Sequence, residues 1–371
     1  MTAIEDINTD SAVHGCLMFR PLPAGLDENT VATALDPAKD VDSMTPASLL
    51  TTLSGRGEGF APCTAEAVLA LLDHYGVELD GAKVAVVGRS LVIGRPVAAM
   101  LTARNATVTT CHTHTRDLAA ECRAADIVVA AVGRARTIGA DAVREGQTII
   151  DVGINWDEAA GKLVGDVDFD AAEPIVGSIT PVPGGVGAVT TAILAKHVIE
   201  AAERAGFENI KLNCVLLGGM NDDEIGDFVR LTAKKPWQVR FIELMPMGVC
   251  AAWPPERFLP AQEVLSRVPE LRPAGRSGVA QLYRLPGAAG MVGLIEPMSC
   301  AFCADCTRIR ITADGKLKPC LHSDAELALR GLSGAELEAA IRQGILMKPA
   351  RHRMDETGVT ETHRGMFAIG G

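Results

Sequence analysis

Val84-Ala85-Val86-Val87-Gly88-Arg89-Ser90-Leu91-Val92-Ile93-Gly94-Arg95-Pro96 reads as a buried β-strand running through a glycine turn into a helix. Val84–Val87 are small or β-branched and apolar on both faces, which suits a parallel strand covered on each side. Gly88 and Gly94 allow backbone to approach a ligand closely, and Pro96 fits the first helical turn, where a missing N–H is harmless. Free amides and the dipole at that helix start favour an anion, so a nucleotide phosphate is the expected occupant. The spacing is G-x5-G and not G-x-G-x-x-G, and paired glycines at such a turn also serve packing alone.

Working outward, Thr107–Cys111, Ala124–Gly133 and Thr148–Asn155 repeat the pattern of an apolar run ending in a turn, with helical stretches between them. Alternation of this kind predicts an α/β domain with a doubly wound parallel sheet and a ligand crevice at the carboxyl ends of the strands. A helix is expected over Ala65–Tyr75, with Thr64 as N-cap and an apolar face at Val68, Leu69 and Leu72. Further helices are expected over Val97–Asn105 and Thr191–Arg204. In dinucleotide folds an acidic residue after the second strand binds the ribose of NAD. Here that place reads His112-Thr113-His114-Thr115, and with Arg89 and Ser90 in reach the pocket favours NADP. The alternative for His112 and His114 is a polar strand end.

The chain has 371 residues and a formal charge of -11. That length allows two or three domains, each with its own core. The acidic balance argues against a general nucleic-acid binder or an anionic-membrane surface protein. Met1-Thr2-Ala3-Ile4-Glu5-Asp6 shows neither the basic nor the apolar part of a leader, and no apolar run is long enough to span a bilayer, so a cytoplasmic protein is expected. Ten cysteines in that setting point to reduced thiols or a metal site.

The full string Gly88-Arg89-Ser90-x-x-x-Gly94-x-Pro96 resembles the cofactor loop of the bifunctional methylenetetrahydrofolate dehydrogenase/methenyltetrahydrofolate cyclohydrolase family. Other segments resemble it in the same order: Val13–Pro23 as the last strand of the catalytic domain, Lys39-Asp40-Val41-Asp42, Gly59–Ala65, Gly165-Asp166-Val167 and Thr180–Thr190. The resemblance implies an NADP-binding domain with Gly88, Arg89, Ser90, Gly94, His112, Thr113, Gly133, Ile154 and Thr180 about the cofactor, and Asp42 on the pterin of a folate. A carboxylate suits that task because it accepts paired N–H donors; the bland reading of residues 36–42 is a solvated turn. The chain also departs from the family. Phe19 stands at the usual glutamine, Ser43 at a glycine, and the Y-x-x-x-K motif is not found. Phenylalanine neither holds nor relays a proton.

Past Gly206 the text changes. Ile210–Leu217 and Gln238–Pro246 read as strands and resemble the late barrel strands of the radical-SAM GTP 3′,8-cyclase of molybdenum cofactor synthesis. Cys303-x2-Cys306-x13-Cys320, with Arg308 and Arg310, resembles that family's carboxyl-terminal signature, and Arg240 matches another basic position. The resemblance implies that Cys303, Cys306 and Cys320 hold three irons of a 4Fe-4S cluster while the arginines bind GTP. Three readings stay open beside it: a zinc site completed by Cys300 or His322, a ferredoxin-like run from Cys300, and free thiols. Cys300 would close the fourth iron if it bound there. The C-x3-C-x2-C motif that binds S-adenosylmethionine is not found. Gly370-Gly371 resembles a tail that reaches into the active site.

The expected organisation is a catalytic-domain remnant over 1–35, a Rossmann-like NADP-binding domain over 36–205, and a partial-barrel α+β Fe–S domain over 206–371. The expected function is an NADP-dependent methylenetetrahydrofolate dehydrogenase/cyclohydrolase of one-carbon metabolism, acting on small molecules as a homodimer. The alternatives are a GTP-cyclase-like fragment and a catalytically silent NADP/Fe–S binding fusion.

Overall fold

The computed structural model describes all residues except 21, 58, 159, 300–302, 304, 305, 352–359, 366, 367, 370 and 371. The chain divides into Met1–Phe207 and Glu208–Gly371. No helix among the described residues is long and apolar enough to cross a membrane.

In the first unit a helix α1 (Cys63–His74) precedes strand β1 (Lys83–Val87), helix α2 (Gly94–Ala103), strand β2 (Thr107–Cys111), helix α3 (Leu118–Ala124) and strand β3 (Ile127–Ala130). Strands β4 (Thr148–Asp151) and β5 (Ser178–Ile179) and helix α4 (Val186–Arg204) follow. All five strands pair in parallel in the order β2-β1-β3-β4-β5. The side-chain period of two divides β1 between two cores. Val84 and Val86 pack with Val68 and Leu72 of α1, Val97 and Leu101 of α2, and Ile193 of α4. Ala85 and Val87 pack on the other face with Cys122, Val143 and Ile149. Burial on both faces is why the strand is an unbroken apolar run. The chain leaves β1 toward β2 and then crosses back to β3, which places a topological switch point between β1 and β3.

Several expected boundaries move. Helix α1 starts at Cys63 with Pro62 as its N-cap, so Thr64 lies inside it; the Cys63 N–H is instead taken by the Asp42 carboxylate at 3.1 Å. Helix α2 starts at Gly94, which puts Pro96 in its first turn, and α4 starts at Val186 just past Gly185. Val13–Phe19 form no strand. Cys16 makes one isolated bridge to Asp40, and a single bridge is not a ladder.

The second unit holds β6 (Lys211–Leu216), helix α5 (Ile225–Lys234), β7 (Gln238–Glu243), helix α6 (Glu263–Arg267), β8 (Arg272–Ser277), β9 (Ala280–Arg284) and β10 (Met291–Ile295). The sheet order is β8-β9-β10-β7-β6, with β6, β7 and β10 parallel and β8 and β9 antiparallel. Three parallel strands thus run into an antiparallel hairpin, giving an open mixed sheet where a partial barrel was expected. One face, with Leu216, Val239, Phe241, Val292 and Leu294, packs on Ile225 and Val229 of α5 and Val264 of α6.

At the switch point Gly88 has φ +138°, and a Cβ on it would stand 2.2 Å from the Ala131 carbonyl oxygen. Gly88→Ala is therefore expected to cost about 3 kcal/mol or more, read as a lower urea midpoint of the first unit; an unchanged midpoint contradicts this packing.

Candidate functional site

The residues expected to hold a cofactor fall on one edge of the first sheet. Gly88, Arg89 and Ser90 follow β1, His112 and Thr113 follow β2, Gly133 lies shortly past β3, Ile154 past β4, and Thr180 directly follows β5. Because every strand runs the same way, this is the carboxyl edge of the sheet. Arg89 and Ser90 are exposed. Ser90 Oγ accepts the N–H groups of Ile93 at 3.1 Å and Gly94 at 3.4 Å, so a hydroxyl already covers two amides at the start of α2. A Cβ on Gly94 would meet the Gly88 carbonyl oxygen at 2.2 Å. The two glycines thus let backbone approach backbone, where approach to a ligand was the expected reason. Leu91 and Ile154, 51% and 63% exposed, give this edge apolar surface on which a flat ring could lie.

Beyond β2 the His112 N–H donates to Thr115 Oγ1 and the His114 N–H to His112 Nδ1, a local turn whose residues 112–116 carry no carboxylate. Thr180 Oγ1 accepts the Asp151 N–H at 2.8 Å, tying β5 to β4.

Two buried carboxylates that sequence reasoning left without a role shape this edge. Asp166 accepts the amides of Val132 at 2.5 Å, Gly133 at 2.9 Å and Arg134 at 3.0 Å, and the Asn155 side-chain amide at 2.9 Å. It therefore sets the turn past β3. Asp151 accepts the amides of Gly153, Asp166 and Val167; burial pushes its carboxyl up to about 6 against those three donors, with the Asp166 charge adding to the rise. The only sequence signal was an aspartate among small residues in the Gly165-Asp166-Val167 run.

The Asp42 carboxylate accepts the Cys63 N–H through one oxygen, and the other lies 3.8 Å from an Arg20 nitrogen. Its neighbour Ser43 holds φ +54°, a left-handed conformation natural to glycine, and its buried Oγ has no hydrogen-bond partner. Asp40 closes the turn by accepting the amides of Met44 at 2.9 Å and Thr45 at 2.7 Å.

In the second unit, a cavity of about 370 Å³ lies on the sheet face opposite the helices. Its lining includes Arg240, Cys303, Cys306, Arg308, Arg310 and Cys320, so the thiols and guanidiniums singled out from sequence surround one space. Arg240 is held by Gln238 at 2.5 Å and Ser277 at 3.3 Å, and Arg310 donates to the Ile369 carbonyl at 3.2 Å. Burial, then the neighbouring Arg308 charge, pushes the pKa of both down. The Lys348 ammonium stands 3.3 Å from Cys306 Sγ. Buried Glu243 anchors the approach to the cysteines by accepting the amides of Met298 and Ser299, each at 2.9 Å. Among the described residues no three Cys, His, Asp or Glu side chains are gathered closely enough to hold a metal ion. The donor set suits a cluster in chemistry, then, but is not assembled as one. Cys300 and Gly370-Gly371 lie outside the described residues.

Residues 62–206 match the family described as Tetrahydrofolate dehydrogenase/cyclohydrolase, NAD(P)-binding domain, residues 1–42 match its catalytic domain, and residues 237–354 match Molybdenum Cofactor Synthesis C. The chain is 50% identical over 202 residues to the bifunctional protein FolD of Carboxydothermus hydrogenoformans, covering 54% of this chain and 70% of that one. It is also 50% identical over 203 residues to FolD of Sorangium cellulosum, covering 55% and 70%. Among solved structures, the FolD dehydrogenase/cyclohydrolase of Campylobacter jejuni superposes with a TM-score of 0.53 at 39% identity, covering 55% of this chain and 72% of that one. The Trypanosoma brucei FolD, complexed with NADP cofactor and inhibitor, gives 0.52 at 37%, covering 55% and 72%.

Ser43 combines a left-handed backbone with an unsatisfied hydroxyl. Ser43→Gly removes both and is expected to stabilise the first unit by about 1 kcal/mol in urea unfolding, despite the added freedom of the unfolded chain.

Proposed function

The chain belongs to the tetrahydrofolate dehydrogenase/cyclohydrolase family, joined to a Molybdenum Cofactor Synthesis C segment, and from that premise we propose that its first unit binds NADP and a tetrahydrofolate derivative. The observation that carries the reading is the common carboxyl edge of the sheet, along which Gly88, Arg89, Ser90, Gly94, His112, Thr113, Gly133, Ile154 and Thr180 lie on either side of the β1–β3 switch point. When bound, NADP supplies a hydride acceptor. The protein's part is to place it. The Arg89 guanidinium is a forked donor for the phosphate that distinguishes NADP from NAD, and residues 112–116 directly past β2 carry no carboxylate to repel that phosphate. Asp42 holds the folate by accepting N–H donors of its pterin. Phe19 neither holds nor relays a proton, and binding is the activity that the residues named here support most directly.

A second reading applies to the other unit, favoured by the shared cavity. Cys303, Cys306 and Cys320 would hold a 4Fe-4S cluster, and Arg240, Arg308 and Arg310 a purine nucleotide such as GTP.

NADP at a hundred times its Kd is expected to stabilise the first unit by about 2.7 kcal/mol, read as a thermal shift. Arg89→Ala is expected to weaken NADP about tenfold while leaving NAD unchanged. No shift with either dinucleotide overturns the first reading. For the second, protein purified without oxygen should carry about four irons with matching sulfide, lost in Cys306→Ser; zinc, or no metal, overturns it.

A further inference from the structure

The most unusual buried group of the first unit lies away from the cofactor edge, on the middle of α4. His197 is 1% exposed, yet both ring nitrogens are engaged. Nδ1 lies 2.9 Å from the Val41 carbonyl oxygen and Nε2 2.9 Å from Glu66 Oε2. A carbonyl can only accept, so Nδ1 carries a proton. Glu66 is a carboxylate whose pKa falls to about 2, through the His197 hydrogen bond and, despite burial, that of Lys196, so Nε2 carries a proton as well. Phe60 stacks on the ring at 4.7 Å between centroids, and Cys63 Sγ lies 3.4 Å from Nδ1.

The Val41 carbonyl directly precedes the residue expected to hold the folate. The Asp42 carboxylate accepts the N–H of Cys63, on the same helix as Glu66. We propose that His197 is a positioning residue: by donating at once to Glu66 and to the Val41 carbonyl, it fixes the turn that carries Asp42 and so aims that carboxylate at a folate. The proposal rests on the folate reading above and deepens it. Ser43 shows why a clasp is needed, since a serine in a left-handed conformation strains the same turn.

A doubly donating imidazole is an imidazolium. The groups facing it are Glu66 and Cys63 from α1, Lys196 and Glu200 from α4, and Asp42 beside Cys63; Arg204 lies over Phe60 at 4.3 Å. Burial opposes the charged ring, but the Glu66 carboxylate and the Val41 carbonyl outweigh it, and the pKa of His197 is raised from its ordinary 6.5. The clasp is therefore complete below about pH 6.5 and is lost as pH rises through the raised folded-state value.

Three measurements test it on the full chain: an NMR titration of the His197 ring, hydrogen exchange across residues 36–45, and calorimetric binding of tetrahydrofolate and of NADP at several pH values. In the native protein, tetrahydrofolate affinity should fall about tenfold across the titration of His197 while NADP affinity stays level. His197→Gln should speed exchange across 36–45 and weaken tetrahydrofolate about tenfold at low pH, removing its pH dependence and sparing NADP. Glu66→Gln keeps the shape of the site, and should move both the ring titration and the affinity midpoint to lower pH. Unchanged exchange in His197→Gln, an unmoved midpoint in Glu66→Gln, or parallel loss of both ligands overturns the positioning role. If the native protein takes up no tetrahydrofolate at any pH, the folate reading fails; the exchange and NMR results still decide whether His197 holds the turn.

Discussion

The first unit depends on one close approach of backbone to backbone. Where β1 gives way to α2, the Gly88 α-carbon lies against the carbonyl of Ala131 and the Gly94 α-carbon against the carbonyl of Gly88, each too close for a side chain. That contact brings the turn after β1 beside the turn after β3, and so defines the crevice at the reversal of strand order. The residues proposed to meet the dinucleotide reach a common edge because five parallel strands end there. Asp166 then shapes the second of the two turns through three consecutive amides, which a buried carboxylate can do without an external partner.

Much of this was legible from residue types alone. An unbroken run such as Val84–Val87 has to be a strand covered on both sides, and each face did find its own core. The order of the glycine turns likewise announced a doubly wound sheet. What could not be read were relations between residues far apart in the chain. Thr64 has the chemistry of an N-cap, but the cap of α1 is completed by Asp42, twenty-one positions away, and local preference gives no hint of that. Val13–Phe19 has the composition of a strand, but a strand needs a neighbour as well as a pattern. In sequence the carboxylates of Asp151 and Asp166 resemble any other acidic residue among small apolar ones, because burial is a property of the assembled fold.

The second unit teaches a related lesson about spacing. The cysteine and arginine motifs do converge on one cavity, lined by Arg240 of β7 as well as by Cys303, Cys306 and Cys320. Convergence on a cavity is nevertheless weaker than coordination geometry, and the thiols among the described residues are not drawn together as ligands of an ion. Spacing in a sequence names candidate donors; only side-chain geometry can assemble them.

Helix α4 spans nineteen residues without interruption. From Gly185, where it leaves the loop at the sheet edge, to His197 it advances roughly 18 Å. The helix therefore works as a rigid ruler between the two ends of the unit. Inserting or deleting a single residue along that distance would turn the imidazole by about 100° around the helix axis, away from Val41. The number of residues between the loop and the imidazole is therefore as much a part of the site as their identity.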